Sequence, residues 1–432
     1  MTYKETIDYL YTQLPVFHRI GNAAYKADLN NTRALDHHFG YPHKKFMSVH
    51  VAGTNGKGSV SHMIASILQE AGYKTALYTS PHLKDYRERI KINGLMISEE
   101  SVVSFVEDNK SIIDKLKPSF FEMSVAMAFD HFARNNVEMA IVEVGLGGRL
   151  DSTNIIMPVL SVITNIGHDH MDLLGDSLEK IAAEKAGVIK ENIPVIIGEK
   201  QDLSDYIFIG KAARTNSELF FAEDFFRCRL ESIHSDAGYR NFSVTQTDKL
   251  VMIQGETPLV GDYQANNIPV AVCASDILRF HLNISNENIA DGIRNTIKNT
   301  GIEGRWQIIG KKPLIICDTG HNREGLEYVI NQINRTKKEN LHLIIGFVKD
   351  KDLKTILPLF PADATYYFTK ASVPRALDEK VLKEEASFLG LKGDSYDNVS
   401  LAFNAARQNA CKNDLIFIGG STFVVADLLN LL

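Results

Sequence analysis

Residues 47–72 read MSVHVAGTNGKGSVSHMIASILQEAG, and the reading of this stretch decides the fold. MSVHVA is a short apolar run that predicts a strand. SVSHMIASILQEAG carries apolar residues at helical spacing, with Gly72 where a helix should stop. TALYTS, at 75–80, predicts a second strand. A strand–loop–helix–strand unit favours a parallel sheet.

Between strand and helix lie Gly53, Thr54, Asn55, Gly56, Lys57, Gly58 and Ser59. Glycines let the backbone curl so that several N–H groups face one anion, and the helix N-terminus adds partial positive charge. Lys57 can reach the β- and γ-phosphates of a nucleotide, and Ser59 suits a phosphate or a magnesium ion. The loop departs from the common GxxxxGK[ST] pattern: Val51 stands at its first glycine, and Gly58 separates the lysine from the hydroxyl.

Outward from this unit the pattern repeats. A helix is expected over Lys4–Leu14, followed by irregular chain. MAIVEVG (139–145), LSVITNI (160–166) and PVIIGE (194–199) predict further strands. From about 218 to 255 the alternation of CRLESIHS and RNFSVTQT predicts a small antiparallel meander on or beside the main sheet. GDYQANNIPVAVCASDILRF reads as helical. At NTGIEGRWQ the periodicity breaks. It restarts with PLIICD, a helix over 323–334, HLIIGFV, TYYFTK, helices near 378–389 and 398–410, and DLIFIGG. The expected architecture is α/β. A P-loop-type, mostly parallel sheet domain with a small antiparallel meander spans 1–300, and a smaller Rossmann-like α/β domain spans 301–432.

The net charge of −6 comes without any block of like charges, which argues against a nucleic-acid or membrane surface. No stretch of about 18 apolar residues is present, so no membrane span is expected. The N-terminus shows no basic segment followed by an apolar run, so no signal peptide is expected. Cys228, Cys273, Cys317 and Cys411 are scattered, with neither zinc spacing nor a disulfide framework, as suits reduced thiols in a cytoplasmic protein.

Three more strings carry a resemblance: SPHLKDYRERIKING at 80–94, EVGLGGRLDSTN at 143–154 and NIGHDHMDLLG at 165–175. With GTNGKGS they make the chain resemble the folylpolyglutamate synthase and dihydrofolate synthase family of the Mur ligase superfamily, from about residue 15 onward. The resemblance implies an ATP-dependent ligase that adds L-glutamate to a folate substrate through an acyl phosphate. The acceptor it implies is tetrahydrofolate, and dihydropteroate as well in bifunctional members. It implies Ser80, Glu143 and His170 as magnesium ligands, with two metal sites, and Lys185 as a carboxylated lysine helping to hold the second. Asn267, Arg305 and Asp318 match ATP contacts. Ser119–Glu122 and Leu150, Asp151 and Ser152 match segments lining a pterin-substrate pocket. A monomer acting on small molecules is expected. The alternatives are a monofunctional folylpolyglutamate synthase, a phosphoryl-transfer enzyme without ligation, or a nucleotide-binding scaffold.

The residue types fit that chemistry. Forming an amide from a carboxylate is uphill in water, so the carboxylate must be activated, and Lys57 and magnesium would neutralise the charge that gathers on the phosphoryl oxygens. Magnesium prefers oxygen, which suits Ser80 and Glu143 better than His170. Glu143 ends an apolar strand, where a carboxylate is costly unless paired. It also lies at the strand edge where open α/β sheets bind ligands. His321 and Lys349 follow two strands of the second domain and would face an interdomain cleft, though Lys349 equally suits a surface loop. Phe120 and Phe121 suit either a pterin ring or the core. Arg89 and Arg149 are candidates for the substrate's carboxylates.

Overall fold

The computed structural model describes residues 1–15, 28–234, 238–247 and 251–432. The chain forms two compact units. One comprises Met1–Pro258 and Tyr263–Ile302, the other Leu259–Asp262 and Glu303–Leu432.

The first unit is built on an eight-stranded sheet. Its strands are β1 (Met47–Ala52), β2 (Thr75–Tyr78), β3 (Ile90–Ile92), β4 (Leu95–Met96), β5 (Met139–Glu143), β6 (Leu160–Ile163), β7 (Val195–Ile197) and β8 (Leu219–Phe221), in the order β4-β3-β2-β5-β1-β6-β7-β8. Strands from β2 to β8 across the sheet run parallel, and β3 and β4 close one edge antiparallel. Every residue of β5 is buried, as expected of a parallel strand covered on both faces.

The order of strands places the site. From β1 the chain crosses to β2 on one side, past β5. From β5 it crosses to β6 on the other side, past β1. With right-handed crossovers, these neighbours send their connections to opposite faces, which opens a crevice beyond their carboxyl ends. Val51 lies opposite Glu143 in this pair. The glycine loop and Glu143 therefore emerge side by side at the crevice.

The expected meander is partly in the main sheet. β8 joins it in parallel, whereas β9 (Phe226–His234), β10 (Tyr239–Gln246) and β11 (Val251–Thr257) form a separate antiparallel sheet in the order β11-β10-β9. Of the irregular chain expected after Leu14, residues 16–27 lie outside the described residues, and Asn30–His38 is a helix.

The second unit holds β12 (Gln307–Lys311), β13 (Leu314–Cys317), β14 (Leu341–Ile345), β15 (Thr365–Thr369), β16 (Gly393–Tyr396) and β17 (Leu415–Gly419), in the order β12-β13-β17-β14-β15-β16. All neighbours are parallel except the edge strand β12, which pairs antiparallel with β13. Residues 259–262 belong here because the helix Arg323–Arg335 holds them. Gln332 donates to Val260 O (3.0 Å) and accepts from Asp262 N–H (2.6 Å). Among the described residues no helix is long and apolar enough to cross a membrane.

Candidate functional site

The loop after β1 is shaped by glycine where the chain allows nothing else. Gly53 has φ +143°, and a Cβ there would overlap Thr164 Oγ1. Gly56 has φ +82°, and a Cβ there would overlap Asn267 Oδ1. Gly56 caps the helix Lys57–Glu70 without any side-chain cap bond. The first backbone bond of that helix is Val60 N–H to Gly56 O (2.9 Å). The amides of Lys57, Gly58 and Ser59 precede the ladder and carry the positive end of the helix dipole.

The loop is braced from the next strand. Thr54 N–H donates to Asn165 O and Asn55 N–H to Asn165 Oδ1 (both 2.9 Å). Thr164 Oγ1 donates to Asn55 O (2.5 Å). Asn165 and Asn266 both donate to Glu199 (3.2 Å each), whose carboxyl burial pushes up. A buried chain runs from Ser59 Oγ through Gln264 (3.2 Å) to Asn267 (2.9 Å). Thr164, Asn165, Glu199, Gln264 and Asn266 were not singled out from sequence. Asn165 alone carried a signal, since it opens the NIGHDH string just beyond the carboxyl end of a parallel strand.

Two amines meet on one carbonyl. Lys57 Nζ donates to Gly53 O and Thr54 O (3.0 Å each), and Lys185 Nζ donates to the same Gly53 O (2.8 Å). Lys185 ends the helix Leu178–Lys185 and is buried. Loss of solvent, and then the charge of Lys57, bring its pKa down to about 7, against the pull of Asp169 and Asp151.

Glu143 is 4% exposed, and one of its oxygens accepts from Ser80 N–H (3.3 Å). Ser80 and Glu143 therefore lie together at the carboxyl edge of the sheet. His170 has a left-handed backbone (φ +52°), donates its N–H to Asp169 (3.0 Å) and places Nε2 3.9 Å from the same carboxylate. Among the described residues no three His, Cys, Asp or Glu side chains converge as a metal cluster. Ser80 meets Glu143 through its backbone amide, and the buried Glu143 carboxylate is an oxygen donor of the kind magnesium prefers.

The residues matched to an acceptor pocket divide. Phe120 is core: it stacks on Tyr11 (5.0 Å), meets Tyr86 edge-on (5.6 Å) and lies under the Arg89 guanidinium (5.2 Å). Phe121 lies against Gly145, where a Cβ would overlap its ring, with Tyr78 6.1 Å away. Ser119 and Glu122 are engaged in a capping box that starts the helix Phe120–Arg134. Arg89 is buried and donates to His82 Nδ1 (2.7 Å). Arg149 is more than half exposed and pairs with Glu184 (2.8 Å). Leu150 is half-buried, and Ser152 opens a short 3-10 turn. Asp151 is buried and accepts from the amides of Gly145 (3.0 Å), Leu146 (2.9 Å) and Thr153 (2.9 Å), and from Thr153 Oγ1. Its carboxylate thus sets the course of the loop that follows Glu143.

In the second unit Asp318 is buried at the end of β13. It accepts from Trp306 N–H and Gly320 N–H (2.7 Å each), beside Arg305. His321 Nδ1 lies 3.0 Å from Thr319 O. Lys349 Nζ donates to Pro374 O (3.2 Å) in a surface loop.

Residues 51–275 match the Mur ligase middle domain, and residues 304–422 match the Mur ligase glutamate ligase domain. The dihydrofolate synthase/folylpolyglutamate synthase of Bacillus subtilis is 31% identical over 416 residues, covering 93% of this chain and 94% of the relative. The enzyme of the same name from Escherichia coli is 32% identical over 390 residues, covering 88% and 86%. A solved structure of E. coli FolC in complex with DHPP and ADP superposes with a TM-score of 0.85 at 28% identity, covering 100% of this chain and 97% of that one. The chain belongs to the dihydrofolate synthase/folylpolyglutamate synthase family of Mur ligases.

Proposed function

We propose that this protein is an ATP-dependent carbon–nitrogen ligase that adds L-glutamate to a folate acceptor, and to dihydropteroate as well. The observation that carries the reading is the meeting of Lys57 and Lys185 on Gly53 O, beside Glu143 at the crevice between β1 and β5. Relatives of this architecture have been solved with ADP, with DHPP and with AMPPCP.

In this reading the acceptor's carboxylate attacks the γ-phosphorus of ATP, and ADP leaves. The amine of glutamate then attacks the acyl carbon, loses a proton, and phosphate leaves as the amide forms. The amides of Lys57, Gly58 and Ser59 bind the phosphates, and the Lys57 ammonium balances charge that grows on the transferred group. Asn267, Arg305 and Asp318 serve the nucleotide in this reading. Phe121 and Gly145, steered by Asp151, form the acceptor side. Ser80, Glu143 and His170 would hold magnesium, which supplies further charge neutralisation. Lys185, with a pKa near neutrality, has enough unprotonated amine to take up carbon dioxide as a carbamate.

Purified protein given ATP, magnesium and radiolabelled glutamate should label both tetrahydrofolate and dihydropteroate in separate reactions. Label on tetrahydrofolate alone restricts the protein to polyglutamylation. Label on neither refutes the ligase reading, and phosphate release without glutamate points to a phosphoryl-transfer enzyme.

A further inference from the structure

The sole tryptophan of the chain, Trp306, follows Arg305 directly. Its backbone is left-handed, with φ +44°. A bulky side chain in this region is a genuine outlier, and such residues persist only where the surroundings over-determine them. The surroundings here do so from three directions. Asp318 accepts the Trp306 N–H through one carboxylate oxygen and the Gly320 N–H through the other (2.7 Å each). Gly304 O receives both the N–H (3.0 Å) and the hydroxyl (3.1 Å) of Thr319. The indole is 1% exposed and packs near Phe417 at 6.3 Å between ring centres.

The indole nitrogen finds no acceptor among the described residues. A buried tryptophan usually satisfies its N–H, so this ring is placed for its shape and not for a hydrogen bond. The turn 304–306 is thereby locked to 318–320 on both sides of Arg305. Among the described residues, the side chain of Arg305 makes a single 3.5 Å hydrogen-bond contact, to Gly304 O. Its direction is set by the turn.

We propose that Trp306 is a positioning residue for the nucleotide: its buried indole and strained backbone aim Arg305 at ATP. The proposal rests on the reading of Arg305 as an ATP contact, and the test separates the two.

The experiment is a double-mutant cycle on the full chain with Arg305→Ala, Trp306→Gly and the pair. Glycine accepts the backbone conformation but removes the anchor. Arg305→Ala should raise KM for ATP by roughly tenfold or more, as expected for loss of a charged hydrogen bond. Trp306→Gly should raise KM for ATP by a similar factor, with kcat and KM for the folate acceptor nearly unchanged. The pair should be no worse than Arg305→Ala alone, and Trp306→Phe should restore most of the loss. Additive losses in the pair overturn the positioning role while leaving Arg305 as a contact. An unaltered KM in Arg305→Ala sinks the ATP assignment and the proposal with it. If Trp306→Gly fails to fold, the wild-type protein gives the answer through its single tryptophan, excited selectively at the red edge of its absorption. Saturating ADP should shift its emission while glutamate alone does not, and emission indifferent to ADP overturns the proposal.

Discussion

Replacing Lys185 by Met should make the first unit more stable while abolishing turnover. Burial and the neighbouring Lys57 bring the Lys185 amine from the ordinary 10.5 to about 7. At about 1.4 kcal/mol per tenfold change in proton affinity, burying this amine costs roughly 5 kcal/mol. Methionine has a similar reach and no charge. The substitution forfeits the bond from Nζ to Gly53 O, worth about 1–2 kcal/mol, but it orphans no acceptor because Lys57 Nζ still reaches that oxygen. A net gain of about 2–4 kcal/mol should remain at pH 7, the stability–activity opposition expected of a strained site. The pH dependence has a definite sign. Between about pH 7 and 10.5 the unfolded chain holds a proton that the folded chain has released, so wild-type stability rises with pH through this window. The advantage of Lys185→Met should therefore shrink toward pH 10.5. Urea unfolding in buffers purged of carbon dioxide, read by hydrogen exchange on peptides covering 47–70 and 178–190, measures this unit alone. A Lys185→Met protein less stable than wild type at pH 7, or an advantage that grows with pH, would refute the reasoning.

Lys57→Ala should leave the far-ultraviolet circular dichroism intact while glutamate incorporation falls by about a hundredfold or more, because a charge aimed at the transferred phosphoryl group is lost. Gly53→Ala must accommodate both φ +143° and a clash with Thr164 Oγ1. Calorimetric titration should show ADP affinity down at least about tenfold, with about 1–3 kcal/mol of stability lost. Gly145→Ala pushes on the Phe121 ring; initial-rate kinetics should show KM rising for the folate acceptor with KM for ATP unchanged.

The parts of the molecule that could be read from sequence are those set by neighbours along the chain. The β1 loop and the helix after it depend on local glycines and periodicity and both are present, but the helix opens at Lys57, inside the expected loop, because Gly56 and not Gly58 caps it. β8 was absorbed into the meander because Leu219–Phe221 is too short to show a period, and its parallel partner β7 is distant in sequence. β12 was missed because the strand follows a turn held by Asp318, twelve residues beyond Trp306. The site was divided in the same way. Ser119-x-x-Glu122 ahead of an apolar helix is a capping signature, and that is the work both side chains do here. The packing of Phe120 between Tyr11 and Tyr86, and the bracing of the loop by Asn165 and Glu199, are contacts between segments that no local pattern encodes.

The oxygen that receives both amines belongs to the main chain. A tether of that kind relies on no acceptor side chain, since all twenty amino acids carry the same carbonyl; it relies on the backbone path that glycine at position 53 allows. Sequence drift around the loop can alter side chains without releasing either lysine. Only a change in the path of the chain, such as an inserted residue between Ala52 and Thr54, would set them both loose at once.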